Sequence, residues 1–284
     1  MSNQYLRKNW VWISIVGIGV VVAGLYLIPT RSNVILAGDF ACPSQAKFEP
    51  IAPIDDLVAE FALSLDEPIA AASTAWSIPS GEPGPPAAVK WSHYVLLGLV
   101  DVPTKYREFI ESLIGELTCI IGLPITVYEA KNRARPNLWL YIVAPEQVSG
   151  RHGTPGDLDF RHLESSDCYS EFKSDAKLRI NNGHVYIRGD ISTQRMHKCI
   201  SATFGHVLGL RLPGAKYIER TVFNFESPIV EKLTVNDKIL IRTLYDGRIK
   251  PGMKREDAVE IARGIILELV RAVRERGVEA LYQR

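Results

Sequence analysis

The sequence has no excess of charge of either sign. Its 284 residues include 33 Lys and Arg and 32 Asp and Glu, which gives a formal net charge of +1. Proteins that bind nucleic acid carry a basic surface that neutralises phosphates, so this balance gives no reason to expect nucleic acid as a partner. The rest of the composition, 46% hydrophobic and 23% charged, is typical of a globular protein.

Several motifs that indicate a known chemistry are also absent. The chain has no Gly-rich phosphate-binding loop, no Cys-x-x-Cys pair and no Gly-x-Ser-x-Gly nucleophile elbow. It has no internal repeat either. The motifs therefore do not point to phosphate binding, thiol exchange or an α/β-hydrolase.

Charge is missing altogether from one long segment near the start. Residues 10–29 contain no Asp, Glu, Lys or Arg, and about 20 apolar residues are what a helix needs to cross a bilayer. Arg7 and Lys8 precede this segment, so the positive-inside rule keeps the start of the chain in the cytoplasm. The alternatives are a buried core helix and a cleaved signal peptide, whose apolar region is usually only about 7–15 residues long. The predicted organisation is a cytoplasmic tail (1–9), a transmembrane anchor (10–29), a juxtamembrane linker (30–50) and an extracytoplasmic domain (51–284).

Cysteine is scarce, and its four positions are Cys42, Cys119, Cys168 and Cys199. An even number fits an oxidising compartment, and four cysteines allow three pairings. We favour a Cys168–Cys199 disulfide, because it would tie a loop to the helix that follows. The pairing of Cys42 with Cys119 stays open, as does the alternative that some of the four are buried thiols.

The order of the predicted elements indicates an α+β domain. Helices are predicted at 54–65, 103–121, 234–245 and 255–276, and strands at 90–97, 124–128 and 138–143. Residues 145–175 have the composition of an irregular loop. Asn181-Asn182-Gly183 lies between two short apolar segments and predicts a β-hairpin turn. We therefore predict one mixed sheet packed by helices.

The predicted helix that carries residues 197–210 holds three residues able to contact a metal or ligand: His197, Cys199 and His206. Zinc peptidases need His-Glu-x-x-His on a helix, because the two imidazoles then face one metal and the Glu activates its water. Here His206 stands in the second His position, whereas Ala202 and Thr203 replace the first His and the Glu. We therefore predict no catalytic residue and no cofactor, with zinc bound through other ligands as the alternative.

Several segments resemble the DUF2927 family, a group of uncharacterised proteobacterial extracytoplasmic proteins, some of them described as lipoproteins. The resemblance covers roughly residues 50–270 and is most specific from Cys199 to Met253. It rests on His197-Lys198-Cys199-Ile200, Leu208-Gly209-Leu210, Phe223-Asn224, the segment 233–237, Leu244-Tyr245-Asp246 and Lys250-Pro251-Gly252-Met253.

The resemblance implies a zincin-like fold with altered metal ligands, because the family carries Glu-Glu-x-x-Gln where zinc peptidases carry His-Glu-x-x-His. This chain departs from that pattern too, since Ala202 and Thr203 replace the acidic pair and His206 stands where Gln is usual. A catalytic role through the acidic pair is therefore not expected here.

The predicted anchor at residues 10–29 and the resemblance to the DUF2927 family together predict a single-pass protein of the bacterial inner membrane. Its C-terminal domain is expected in the periplasm. We expect a non-catalytic domain that contacts the bilayer and binds other envelope or membrane-complex proteins, as a binder, scaffold or accessory subunit. The alternative is a zinc-dependent, peptidase-like hydrolase with unidentified ligands, drawn for example from the loop between His152 and His162.

Overall fold

The structure, a computed structural model, describes Cys42 and residues 49–66, 86–128, 135–148, 160–212, 216–223 and 230–282. All of them belong to one compact unit that runs from Ile35 to Arg284. The predicted anchor at 10–29 lies outside the described residues. Within the described part of the chain, no helix is long and apolar enough to cross a membrane.

Six described strands form one mostly parallel sheet. They are β1 (Lys90–Trp91), β2 (Val95–Val100), β3 (Ile125–Val127), β4 (Leu138–Val143), β5 (Cys168–Ser174) and β6 (Arg179–Arg188). Their order is β1-β6-β4-β2-β3, and β5 pairs with β6 in the antiparallel sense. The predicted α+β fold with a mixed sheet is therefore confirmed.

Helices cover the sheet. They are α1 (Ile54–Asp66), α2 (Thr104–Ile121), α3 (Pro145–Val148), α4 (Thr193–Val207), α5 (Val235–Leu244) and α6 (Arg255–Arg276), with short 3-10 helices at Arg161–Glu164 and Val278–Leu281. α4 packs against β5 and β6, α2 packs against β3, α4 and α5, and α1 packs against α6. The four helices predicted by residue range lie within a residue or so of these bounds.

The strands separate a large core from a second, smaller cluster on the opposite face. Successive side chains of a strand point to opposite faces of its sheet. In β4, Leu138 and Leu140 are fully buried in the main core together with the helices. Tyr141 instead packs with Val143 and Tyr186 in the smaller cluster.

The single strand predicted at 90–97 is two strands. β1 pairs with β6, whereas β2 pairs with β3 and β4. One straight strand cannot follow both sets of partners, so the chain breaks between Trp91 and Val95. Apolar character alone did not show this break.

The hairpin turn predicted at Asn181-Asn182-Gly183 is wrong. These residues lie inside β6, which pairs with β4 and with β5. The β5–β6 turn comes earlier, where the Asp175 carboxylate accepts the backbone N–H groups of Lys177 and Arg179 and Leu178 adopts a positive φ of 56°. Residues 145–175 are consequently not an irregular loop throughout, because they include α3, a 3-10 helix and β5.

Both pairs of cysteines form disulfides. Cys168–Cys199 joins β5 to α4 with Cα atoms 5.8 Å apart, which confirms the favoured pairing. Cys42–Cys119 joins the chain before α1 to α2, with Cα atoms 5.9 Å apart. Two disulfides favour an oxidising, extracytoplasmic compartment.

Gly209 ends α4 at a point where the backbone passes very close to the segment before β1. Its φ of +107° is one that residues with a side chain rarely adopt, and a Cβ at this position would lie 2.0 Å from the carbonyl oxygen of Val89. Only glycine fits here without a movement of the backbone.

Replacement Gly209→Ala should therefore lower the free energy of unfolding by about 2 kcal/mol or more, because the new Cβ strains φ and displaces Val89. The control is Gly264→Ala in α6, where a Cβ meets nothing within 4 Å and alanine should leave stability unchanged or raise it by about 1 kcal/mol. Denaturant titration of both variants measures the difference. Equal stabilities would contradict the close approach at Gly209.

Candidate functional site

The two halves of α4 lie in different surroundings. The helix begins after Ser192, whose hydroxyl accepts the N–H of Arg195 and so caps its first turn. His197 and His206 are nine residues apart, which at about 100° per residue places them on roughly opposite sides of the helix. The two histidines that the sequence offered as ligands therefore do not converge.

His206 points toward the sheet and is held there. Its Nδ1 lies 2.8 Å from the hydroxyl oxygen of Ser170 on β5, and its ring lies 5.9 Å from that of Phe172. Burial, together with the positive charge of Arg211, lowers the pKa of His206 to about 4. The imidazole is therefore neutral at physiological pH and pairs with a serine.

The positions that a zinc peptidase uses for its first His and its Glu are closed. Ala202 and Thr203 are 3% and 5% exposed. The Thr203 hydroxyl donates to the carbonyl oxygen of Cys199 at 2.6 Å, and the sulfur of Cys199 is in a disulfide. Within the described part of the chain, no three His, Cys, Asp or Glu side chains come together as they would to hold a metal ion.

The first half of α4 borders an open groove. The ring of His197 lies flat on that of Phe109 in α2, with centroids 4.0 Å apart and planes 8° apart. Its Nδ1 lies 2.9 Å from a carboxylate oxygen of Glu231, and 20% of the His197 side chain and 38% of the Glu231 side chain remain exposed. This histidine is thus fixed by an aromatic ring and a carboxylate while it stays in contact with solvent.

We call this cavity of about 380 Å³ the His197 groove. One wall is a face of α2, formed by Lys105, Glu108, Phe109, Ser112, Leu113 and Glu116. The other consists of His197, Ser201 and residues 231–233. From Lys105 to Glu116 the wall extends about 16 Å at about 1.5 Å per residue. Side chains of both charges line the groove beside the His197–Phe109 stack.

Local structure fixes both walls. The Ser201 hydroxyl donates a hydrogen bond to the backbone carbonyl oxygen of Glu231 at 2.7 Å. This bond attaches residues 231–233 of the second wall to α4. Just beyond, Thr234 and Asp237 form a capping box at the start of α5, as the sequence predicted. Asp237 also accepts the hydroxyl of Thr221, and burial raises its pKa to about 6. The segment that carries Glu231 is therefore anchored at both ends.

Comparison with known proteins shows the family of the chain. The family described as Protein of unknown function (DUF2927) matches residues 76–264. The chain belongs to the DUF2927 family. No curated protein matches the chain. The family match does not confirm the zincin-like fold, which stays a prediction.

Sequence reasoning found His197 but not the groove in which it lies. Phe109 looks like one more residue of the apolar stripe of α2, and Glu231 follows a segment without periodicity. Of the loop proposed as a source of zinc ligands, His152 lies outside the described residues. His162 stacks on Tyr169 with centroids 4.3 Å apart and joins no metal cluster among the described residues.

The lowered pKa of His206 predicts a loss of stability in mild acid. The unfolded chain takes up this proton near pH 6.5, whereas the folded chain does so only near pH 4. Between these values the unfolded state binds more protons, so the contribution of neutral His206 is complete above pH 6.5 and is lost as the pH falls toward 4. From pH 7.5 to pH 5 the free energy of unfolding should fall by about 2 kcal/mol through this group.

Denaturant unfolding of the wild type and of His206→Asn at both pH values measures the effect. Asparagine retains a polar atom for Ser170 but does not titrate, so the variant should lack this part of the pH dependence. The same pH dependence in both proteins would show that His206 titrates normally in the fold.

Proposed function

We propose that this DUF2927 protein is a non-catalytic, extracytoplasmic binding protein that holds a polypeptide segment of an envelope partner in the His197 groove. The observation that carries the proposal is the contrast between the two halves of α4. The half with the degenerate zinc motif is closed by Ser170, Thr203 and a disulfide, and the half with His197 is open.

The shape of the groove favours a polypeptide as its occupant. A wall of about 16 Å accommodates about five residues of extended chain at about 3.3 Å each. Lys105 and Lys232 can pair with acidic side chains, and Glu108 with basic ones. The Phe109–His197 stack offers a flat surface for an apolar or aromatic side chain. A peptide carries all of these groups along one chain.

The disulfides support an oxidising compartment, and residues 10–29 have the composition of a membrane anchor. We place the protein in the inner membrane, with the folded domain in the periplasm and its partner among other envelope proteins. A zinc-dependent hydrolase is the weaker hypothesis, because no metal cluster of the described residues favours it.

Photo-crosslinking in living cells tests this function. A photo-reactive amino acid replaces Ser112, an exposed residue in the wall of the groove, in the full-length protein. Irradiation should give a covalent adduct with one discrete partner polypeptide. The control places the same amino acid at Leu267, which is 44% exposed on α6 and does not line the groove.

A second variant tests whether the adduct formed at position 112 depends on binding in the His197 groove or only on a partner that is close by. His197→Phe keeps a flat ring on Phe109 but removes the hydrogen bond to Glu231, and it should reduce the Ser112 adduct about fivefold or more. Equal adducts from positions 112 and 267, or no adduct from either, would contradict binding in the groove.

A further inference from the structure

Several connecting segments meet at one end of the sheet, the end at which its parallel strands begin. Four of them come directly before β2, β3, β4 and β6, and a fifth joins α5 to α6. We call this surface the basic end, and its segments are residues 92–94, 122–124, 135–137, 175–178 and 246–254. The register of the sheet places the starts of neighbouring strands side by side, because Val95 is paired with Ile125 and Lys90 with Arg179.

Direct contacts hold the segments of the basic end together. The side-chain amide of Asn137 donates to the carbonyl oxygen of Tyr94 at 3.1 Å, and the carbonyl oxygen of Asn137 accepts the N–H of Gly183 in β6 at 2.9 Å. Gly252 lies against the turn before β6, where a Cβ at this position would come within 3.5 Å of the carbonyl oxygen of Lys177. The basic end is therefore one surface that crosses the sheet from β2 to the connection between α5 and α6.

The exposed charge of this surface is positive. The two carboxylates of its segments already have basic partners, because Asp175 is paired with Arg179 and Asp246 with Arg248. The other charged residues of these segments are all basic and exposed: Arg135, Lys177, Lys250 and Lys254. The chain as a whole is almost neutral, so this surface concentrates positive charge that the rest of the molecule balances.

The basic end also carries Tyr94, whose side chain is 57% exposed. The hydrogen bond from Asn137 holds the backbone of this tyrosine beside the start of β4. Tyrosine is enriched where a membrane meets water, because its ring is apolar and its hydroxyl is polar. An exposed tyrosine among lysine and arginine side chains therefore suits a layer of phospholipid headgroups.

The part of the chain that follows the predicted anchor is attached at the same end. The Thr118 hydroxyl accepts the N–H of Ile125, the first residue of β3, at 3.2 Å. This bond places the neighbouring Cys119 at the level where the strands begin, and Cys119 forms the disulfide with Cys42. Cys42 follows the last residue of the predicted anchor, Pro29, by 13 residues, which span at most about 45 Å. The connection to the anchor is thus fixed near the basic end.

We propose that the basic end docks on the phospholipid headgroups of the membrane that holds the anchor. The proposal rests on the inner-membrane location proposed above. Lysine and arginine side chains attract lipid phosphates, and Tyr94 reaches the level of the headgroups. The short connection through Cys42 keeps this end of the domain near the bilayer.

Docking in this orientation leaves the His197 groove accessible. Helices α2 and α4 begin after the carboxyl ends of β2 and β6, which lie at the end of the sheet opposite the basic end. Lys105 and His197 belong to the first two turns of these helices. The open half of α4 therefore points away from the lipid, where a partner can reach it.

Photo-crosslinking to lipid tests the docking on the full-length, disulfide-bonded protein in lipid nanodiscs that contain phosphatidylglycerol. A photo-reactive aromatic amino acid replaces Tyr94, and mass spectrometry measures the covalent lipid adduct after irradiation. The control places the same amino acid at Gln194, an exposed residue at the start of α4 and so at the opposite end of the sheet. The adduct at position 94 should exceed that at position 194 about fivefold or more.

Charge reversal tests which residues carry the docking. Lys177→Glu and Lys250→Glu should each lower the lipid adduct at position 94 about threefold or more, because each replaces an attraction for lipid phosphate by a repulsion. The matched control is Arg107→Glu, which reverses an exposed charge in the first turn of α2 outside the groove and should leave the adduct unchanged. Circular dichroism checks that the variants are folded.

Equal lipid adducts at positions 94 and 194, or an adduct at position 94 that neither lysine variant lowers, would overturn the docking and leave the anchor in place. A chain that does not co-purify with the nanodiscs would overturn both the inner-membrane location and the docking. The nanodiscs contain no envelope partner, so the result does not depend on binding in the His197 groove. Failure of that function is seen separately, in the Ser112 adduct.

Discussion

The rest of the structure depends on how α4 is fixed to the sheet. In the middle of the helix the Cys168–Cys199 disulfide joins it to β5. At its C-terminal end the indole N–H of Trp91 donates to the carbonyl oxygen of Val207 at 2.9 Å, and Gly209 passes too close to Val89 to carry a side chain. These attachments at Cys199, Val207 and Gly209 fix the rotation of the helix about its axis and so set the direction of its side chains.

Because the rotation of α4 is fixed, His197 and His206 point to opposite sides of the helix. A zinc-binding helix would instead turn two histidines toward one metal ion. His206 faces β5 and pairs with Ser170, whereas His197 faces α2 and Glu231. The helix therefore stabilises the core through one side and forms a groove wall with the other. Successive side chains of β4 point to opposite faces of the sheet. Leu140 is therefore buried under the helices, and Tyr141 lies on the opposite face. One side of α4 is thus buried, and the other is open to solvent at the His197 groove.

Features with local causes could be predicted from the sequence. The stripe of α2 and the Thr234–Asp237 capping box arise within a few residues, and both are found as expected. The hairpin at Asn182-Gly183 was wrong because the strands that keep these residues extended, above all β4, lie far away in the chain. The groove was missed for the same reason, since Phe109, His197 and Glu231 come from three distant segments.

We propose that α4 is a structural helix and that its His206, paired with Ser170, binds no metal. Histidine side-chain nitrogen resonances, recorded while zinc is added to the disulfide-bonded protein, test it most directly, with His206→Asn to assign the signal. We predict that the His206 resonances stay in place when one equivalent of zinc has been added. A shift of these resonances that is complete at one equivalent would contradict the account.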